Sequence, residues 1–459
     1  MILLITLCVV IILFVIFLKI TISISKKIYG VSLNPLSIFT FIWLFIVGIY
    51  ILPLNIFYPL TGYGLTAIGL GYLSFFGGCL QVGLLKTKVT KSSGSTDYLF
   101  PQYMNEPILR KFLYFALLCR IGQIVISLNT MLKIAGSFSV LINNSTYVRN
   151  IYLSRSDIPD FSLIGRVFPV LLNLVAGVGI IVAAIYLFVK GRKILLPIML
   201  LLSSPLLSLI LMSKQAAIID GLLFFWTFVI CFVAYKYKIS KVKESIKLNI
   251  NINVTKRKSI FKLILGLLIL LVLLLNLIAL QRGYSEQESP IPMLPKTVAQ
   301  AIIYGLGPLE GLNVLVSNYE NEMSHGARTF RPLVKWLISF NILDASILPP
   351  FFDSMIQGKI GSINVYTWLG MFYKDFGYAG IIILPYFMGL FSSFAFKKAL
   401  FKPTIFWIGS AALLGTIILF SFYNWLAQET YYLILPFILL LLEIFLMQIM
   451  KGSKSKSLK

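Results

Sequence analysis

The chain has 459 residues, 58% hydrophobic and 12% charged, about half the charged share of roughly 25% in soluble domains. Its mean hydropathy of +0.91 and its many apolar runs of ~18 residues or more exclude a soluble protein with an outsized core. The net charge of +24 would suggest nucleic acid in a soluble chain, but the cations cluster between apolar runs, so they report topology and no nucleic-acid partner is expected.

The first apolar run, 2–18, is followed by Lys19, Lys26 and Lys27. A cleaved leader carries its charges before the apolar run, so this pattern predicts a retained helix with its N-terminus outside. Further spans are predicted at 33–52, 64–85, 112–130, 167–189, 194–212, 216–235, 263–281, 376–396, 404–422 and 431–450, about eleven in all. Of the 40 Lys and Arg residues, this arrangement puts 27 in inner segments, 12 in outer ones and one, Arg120, inside a span. The bias toward short inner loops is what the positive-inside rule weighs, so the C-terminus is expected in the cytoplasm. The fold class expected is an all-α polytopic membrane protein with three blocks. These are a helical block 1–281, one large extracytoplasmic loop 282–375, and a closing helical block 376–459. Within the loop, 296–316 is apolar, but its GLGP sequence argues for an interfacial or re-entrant helix. Cys8, Cys79, Cys119 and Cys231 all fall in predicted spans without zinc-ligand spacing, and read as apolar packing residues.

The long loop holds the only histidine, His325, and half of the 16 acidic residues. In its HGARTFRP sequence Arg328 and Arg331 stand three apart, with Lys335 four further on. If Pro332 opens a helix, these cations and His325 gather at its start, where an anionic phosphate or pyrophosphate would bind. A basic face on a solvated loop is the plainer reading of the same residues. Arg282, at the outer end of a span, suits either that anion or a snorkelling anchor. A free imidazole titrates near neutrality, so the only histidine, His325, is a candidate general base, or is simply a hydrogen-bonded loop histidine. Arg120, near mid-span, is a functional candidate or one half of a structural pair with Asp220, which lies behind Lys214. For Glu443, in the last span, the sequence suggests no role. Between 363 and 380, Tyr366, Trp368, Tyr373 and Tyr378 suggest an interfacial aromatic belt with rings able to stack on sugars, beside the polar Asn364, Thr367, Lys374 and Asp375. There is no Walker loop, no Cys/His metal pattern and no DxD pair, so neither a cofactor nor a metal is expected, and reaction energy has to arrive in an activated substrate.

The N-x-Y-T-x-L-G-x-x-Y-x-D-F-G-x-x-G sequence at 364–380, the preceding G-x-x-x-x-x-P segment from Gly326 to Pro332 with its arginines, and the many-span layout with a late outer loop resemble the O-antigen polymerases, or oligosaccharide repeat-unit polymerases, of bacterial surface-polysaccharide pathways. That resemblance implies a GT-C-like helical fold in the bacterial cytoplasmic (inner) membrane. It implies a metal-independent glycosyltransferase that joins undecaprenyl-pyrophosphate-linked repeat units into O-antigen or capsular polysaccharide on the outer face. A sugar hydroxyl would attack the anomeric carbon and undecaprenyl pyrophosphate would leave. Arg282, Arg328, Arg331, Lys335, Arg120 and Lys214 would then receive the pyrophosphate. Asn364, Tyr366 and Lys374 would line the substrate, and His325, with Asp375 or Glu322 behind it, would serve as base. Membrane lipid, a chain-length regulator and a flippase of the same pathway are the implied partners. An O-antigen ligase, which differs in its acceptor, and a polysaccharide flippase or transporter are the competing readings.

Overall fold

Inside a bilayer a chain has to satisfy its own backbone N–H and C=O groups, and this one does so as helix. The computed structural model describes residues 2–52, 56–84, 107–143, 148, 163–190, 195–211, 214–246, 296–318, 323–349, 356–359, 361–363 and 365–457. In chain order the helices are α1 (Ile2–Tyr29), α2 (Pro35–Ile51), α3 (Gly62–Leu84), α4 (Pro107–Ala135), α5 (Phe138–Asn143), α6 (Leu163–Lys190), α7 (Leu195–Ile210), α8 (Lys214–Ile246), α9 (Lys296–Ser317), α10 (Arg331–Ser339), α11 (Trp368–Phe401), α12 (Ile405–Leu419) and α13 (Thr430–Ser457). Between α10 and α11 lies a small antiparallel hairpin, β1 (Ile356–Gln357) and β2 (Ser362–Ile363), with Ile356 opposite Ile363.

Every span expected from the sequence falls on one of these helices except 263–281, which lies outside the described residues. Among the described residues, six helices are long and apolar enough to cross a membrane: Gly62–Leu84, Pro107–Ala135, Phe168–Lys190, Ala217–Ser240, Trp368–Phe401 and Thr430–Met450. Shorter apolar helices accompany them at Pro35–Ile51, Leu195–Ile210, Ile302–Ser317 and Ile405–Leu419. The chain is thus a mostly helical, multi-pass membrane protein. α9 runs through Gly305, Gly307 and Pro308 as one helix, with Leu306, Leu309, Leu312 and Leu315 buried, and it packs against α3 and α2.

The chain gathers into two units. The first comprises Met1–Gly94, Glu288–Lys398 and Leu413–Leu433; the second comprises Ser95–Gln287, Ala399–Ala412 and Ile434–Lys459.

In the first unit, α2 starts on a capping box, Asn34 with Ser37, and Pro35 opens the helix where its missing N–H costs nothing. α3 and α11 cross at reciprocal glycines: a Cβ on Gly78 would overlap the Tyr386 carbonyl, and one on Gly389 would overlap the Phe75 carbonyl. Small residues let two backbones approach this closely where hydrophobic exclusion offers no drive within lipid. At one end of the crossing the buried Lys397 ammonium donates to the Val82 carbonyl at 2.6 Å, a cation on the last turn of α3. Near the other, Trp368 is fully buried among Phe39, Phe75, Phe372 and Trp425.

In the second unit, α6 is buried on every side from Val178 to Phe188, as a helix apolar all round should be at the centre of a bundle. It packs against α4, α8 and α7. Gly179 makes the α4 contact, where a Cβ would press on that of Ala116. Glu443, for which the sequence suggested no role, reaches from α13 to accept the Phe406 N–H at 2.8 Å, capping the first turn of α12.

Candidate functional site

Of the residues singled out in the long loop, His325, Arg328, Arg331 and Asp375 meet at one tight turn of the first unit. Residues 325–330 form consecutive turns leading into α10, which starts at Arg331 with Pro332 in its first turn. The turn requires left-handed backbone at His325 (φ 45°) and Gly326 (φ 92°). Gly326 has a second reason to lack a side chain, because a Cβ there would meet the Phe376 ring at 2.9 Å.

Asp375 holds this turn from inside. It is wholly buried, and its carboxylate accepts the Thr329 N–H at 2.5 Å, the Arg328 N–H at 3.3 Å and the Ser324 hydroxyl. The Ser324 N–H in turn donates to the Lys374 carbonyl at 3.1 Å. From the other side, Trp425 Nε1 donates to the Thr329 carbonyl at 3.0 Å. The backbones of Arg328 and Thr329 are therefore fixed between α11 and the turn before α13. His325 and Lys335 remain exposed at the rim, while Arg328 and Arg331 are half-buried. One Arg331 Nη1 donates to the Pro349 carbonyl at 3.2 Å. Burial and the neighbouring Arg328 both lower the Arg331 pKa, so the two arginines concentrate positive charge.

The glycines of the D-F-G-x-x-G sequence explain how Asp375 reaches its place. α11 is broken at Gly377, whose φ of 61° and ψ of −148° suit only glycine. Beyond the break, Gly380 lies against the Phe372 carbonyl so closely that a Cβ would overlap it. The stretch before the break can thus turn its Asp375 toward the 324–329 turn, while the stretch after it runs on as a span.

Tyr366, Thr367, Trp368, Tyr373 and Lys374 lie inside the unit. The Lys374 ammonium, itself buried, stands 4.2 Å from the centre of the Tyr366 ring, also buried. Tyr366, Trp368 and Tyr373 are core residues here, not the exposed belt or sugar platform expected. The chain entering α11 passes under α9 and the turn after α12, which cover these rings; only Tyr378 is partly exposed.

Two carboxylates went unnoticed in the sequence. Glu429, in the short turn before α13, is half-buried; burial pushes its carboxyl above the ordinary range, and nearby Lys335 and Arg331 draw it back. Its signal was an acid in a turn four residues from an indole, Trp425, that binds the arginine turn. Glu310 of α9, 1% exposed, accepts the N–H groups of Tyr58 and Lys359, both at 3.0 Å. One turn on, Asn313 accepts the Thr61 N–H at 2.9 Å and donates to the Pro59 carbonyl at 3.0 Å. These ties bring together the segment before α3, the β-hairpin and α9.

Arg120 and Lys214 belong to the second unit. Arg120 is fully buried and paired with Asp220 at 2.6 Å, the structural partner its sequence position allowed. Its other terminal nitrogen donates to Gln123 Oε1 at 3.0 Å and Asn173 Oδ1 at 3.1 Å, and Asp220 also accepts from Ser204 at 2.7 Å. Lys214 is the first residue of α8; its side chain, together with Arg282, Asn364 and Glu322, lies outside the described residues. Among the described residues no group of three or more His, Cys, Asp or Glu side chains is placed to hold a metal. No protein-family model, curated protein or solved structure matches the chain.

Proposed function

We propose that this chain is a polysaccharide polymerase. It would join polyprenyl-pyrophosphate-linked oligosaccharide repeat units, on undecaprenyl pyrophosphate in a bacterial cytoplasmic membrane, by glycosyl transfer at the outer face. The observation that carries this reading is the arginine turn. Asp375 and Trp425 hold the backbone at Arg328 and Thr329, Arg331 follows two residues on with a bond to the Pro349 carbonyl, and two acid–base candidates, exposed His325 and half-buried Glu429, stand on the same assembly. A pyrophosphate leaving group needs fixed cations where its charge develops, and a fixed turn supplies them without reorganisation.

In the step proposed, a hydroxyl oxygen of the incoming lipid-linked unit bonds to the anomeric carbon of the growing chain. The bond from that carbon to the pyrophosphate oxygen breaks, and the electron pair leaves with the pyrophosphate, facing Arg328 and Arg331. The hydroxyl proton passes to His325 or to Glu429. Asp375, with three donors already on its carboxylate, acts as a positioning residue in this scheme.

The test is polymerisation of purified lipid-linked units by the chain in proteoliposomes, read as a ladder of products. Arg328→Ala and Arg331→Ala are expected to remove the ladder while the protein stays folded. Arg→Lys should rescue poorly wherever the contact is bidentate. Undiminished ladders from both alanine variants would overturn the reading. Transfer of finished chains to a lipid A core, without polymerisation, would make the protein a ligase.

A further inference from the structure

The apolar side of α10 is turned outward. Phe330 is 44% exposed, Leu333 42%, Trp336 39% and Phe340 73%. Steps of three, three and four residues put all four on one helical face. The opposite side carries buried Pro332 and the cations Arg331 and Lys335, and no acid lies between Arg331 and Ser339. An exposed apolar stripe this dense on a nine-residue helix calls for an occupant.

Its position names that occupant. The Phe330 ring packs edge-on against Phe376, 6.4 Å between centres, and Phe376 directly precedes the break at Gly377. From that break α11 continues as a crossing helix whose Ile382, Ile383, Phe387 and Phe391 are exposed apolar residues. α10 therefore begins, at Phe330, beside the start of a helix whose exposed apolar residues a bilayer would cover. Aromatic and aliphatic residues on one side with cations on the other is the pattern of a helix lying in a phospholipid interface, its apolar face ~5–10 Å below the headgroups.

We propose that α10 is a membrane-surface helix: its Leu333, Trp336 and Phe340 face sits in the acyl layer of the phospholipid leaflet, and Arg331 and Lys335 are thereby held at the depth of lipid phosphates. This does not rest on the polymerase reading; it would hold for any enzyme or transporter with this structure.

The test uses the full chain in phosphatidylcholine–phosphatidylglycerol nanodiscs, with Cys8, Cys79, Cys119 and Cys231 replaced by alanine. Single reporter cysteines at Leu333, Phe340 and Ser339 carry a small environment-sensitive fluorophore. A nitroxide on the upper acyl chain should quench the Leu333 and Phe340 sites several-fold more than the Ser339 site, and aqueous iodide should show the reverse order. Equal iodide access at all three sites would overturn the proposal. So would protection from both quenchers, which means that protein covers the face, or self-quenching confined to Leu333 and Phe340, which means a second copy does. As a measurement free of labels, Trp336→Phe among the six tryptophans should remove a component of intrinsic emission that brominated lipid quenches. Loss of a component insensitive to brominated lipid would also sink it.

Discussion

Asp375 shows how one buried carboxylate can organise a site without being its chemistry. Replacing it with alanine strands two backbone N–H groups, each costing ~1–3 kcal/mol, so Asp375→Ala should lower stability by several kcal/mol at most and loosen the arginine turn. Hydrogen exchange at the Arg328 and Thr329 amides should rise in that variant well before global unfolding. At Gly377, alanine would be forced into a conformation costing ~1–3 kcal/mol, and Gly377→Ala should show that loss in thermal denaturation. Substitution and pH together test Glu429 as the base. A carboxyl raised by burial is protonated over a wider range, so if Glu429 is the base the acid limb of the rate profile lies above the ordinary Glu value of ~4.3. Glu429→Gln should then cut turnover by ~10²- to 10⁴-fold and abolish that limb, whereas His325→Gln should leave it in place. If His325 is the base, it is His325→Gln that cuts turnover by this much and Glu429→Gln that does not. The sign for stability follows from the same shift. With its folded pKa above the unfolded one, Glu429 favours the fold at low pH, and this contribution is lost as pH rises through the folded pKa.

The helices were legible in the sequence because length and apolar runs are local properties. The start of α10 was legible for a similar reason, since Pro332 suits a first turn. The Arg120–Asp220 pair was within reach too, because a charge inside a span needs a partner and few acids lie in spans. The pair gives a sharp expectation. Arg120→Leu alone leaves a buried unpaired carboxylate and should cost ~3–5 kcal/mol, while Arg120→Leu with Asp220→Leu should recover most of that stability. If the double variant also keeps the activity proposed above, Arg120 is a packing element and not a substrate contact. Other roles were not legible. The part played by the D-F-G sequence depends on Ser324 and Thr329, about fifty residues earlier in the chain, which no local pattern connects to it. Tyr366 and Trp368 read as interfacial because composition cannot tell an aromatic at the membrane boundary from one in the core beneath it. Glu429 escaped because its significance comes from Arg331 and Lys335 across the fold.

For the whole molecule, the charge count makes a prediction about sidedness. Reporter fusions near Lys247 should act as cytoplasmic and fusions near Glu320 as external; an external signal at Lys247 would reverse the orientation. Several segments placed on one side by that count meet in the first unit: 56–61, 323–330, 356–359 and 423–429 are tied by Glu310, Asn313, Asp375 and Trp425. The sequence could not show that this unit is assembled from three separated stretches, because division into units follows tertiary contacts and not chain order.

The reciprocal glycine crossing of α3 and α11 also sets a timetable for biosynthesis. Cys79, whose thiol donates to the Gly389 carbonyl, is made 310 residues before its partner. At a synthesis rate of ~5–20 residues per second, the notch at Gly78 stands open for ~15–60 s while the intervening chain is made. During that interval any neighbouring helix with a small-residue face can occupy it. A membrane insertase or chaperone that shields α3 until α11 emerges would raise the yield of native protein, and filling the notch with Gly78→Leu should lower expression even in its presence.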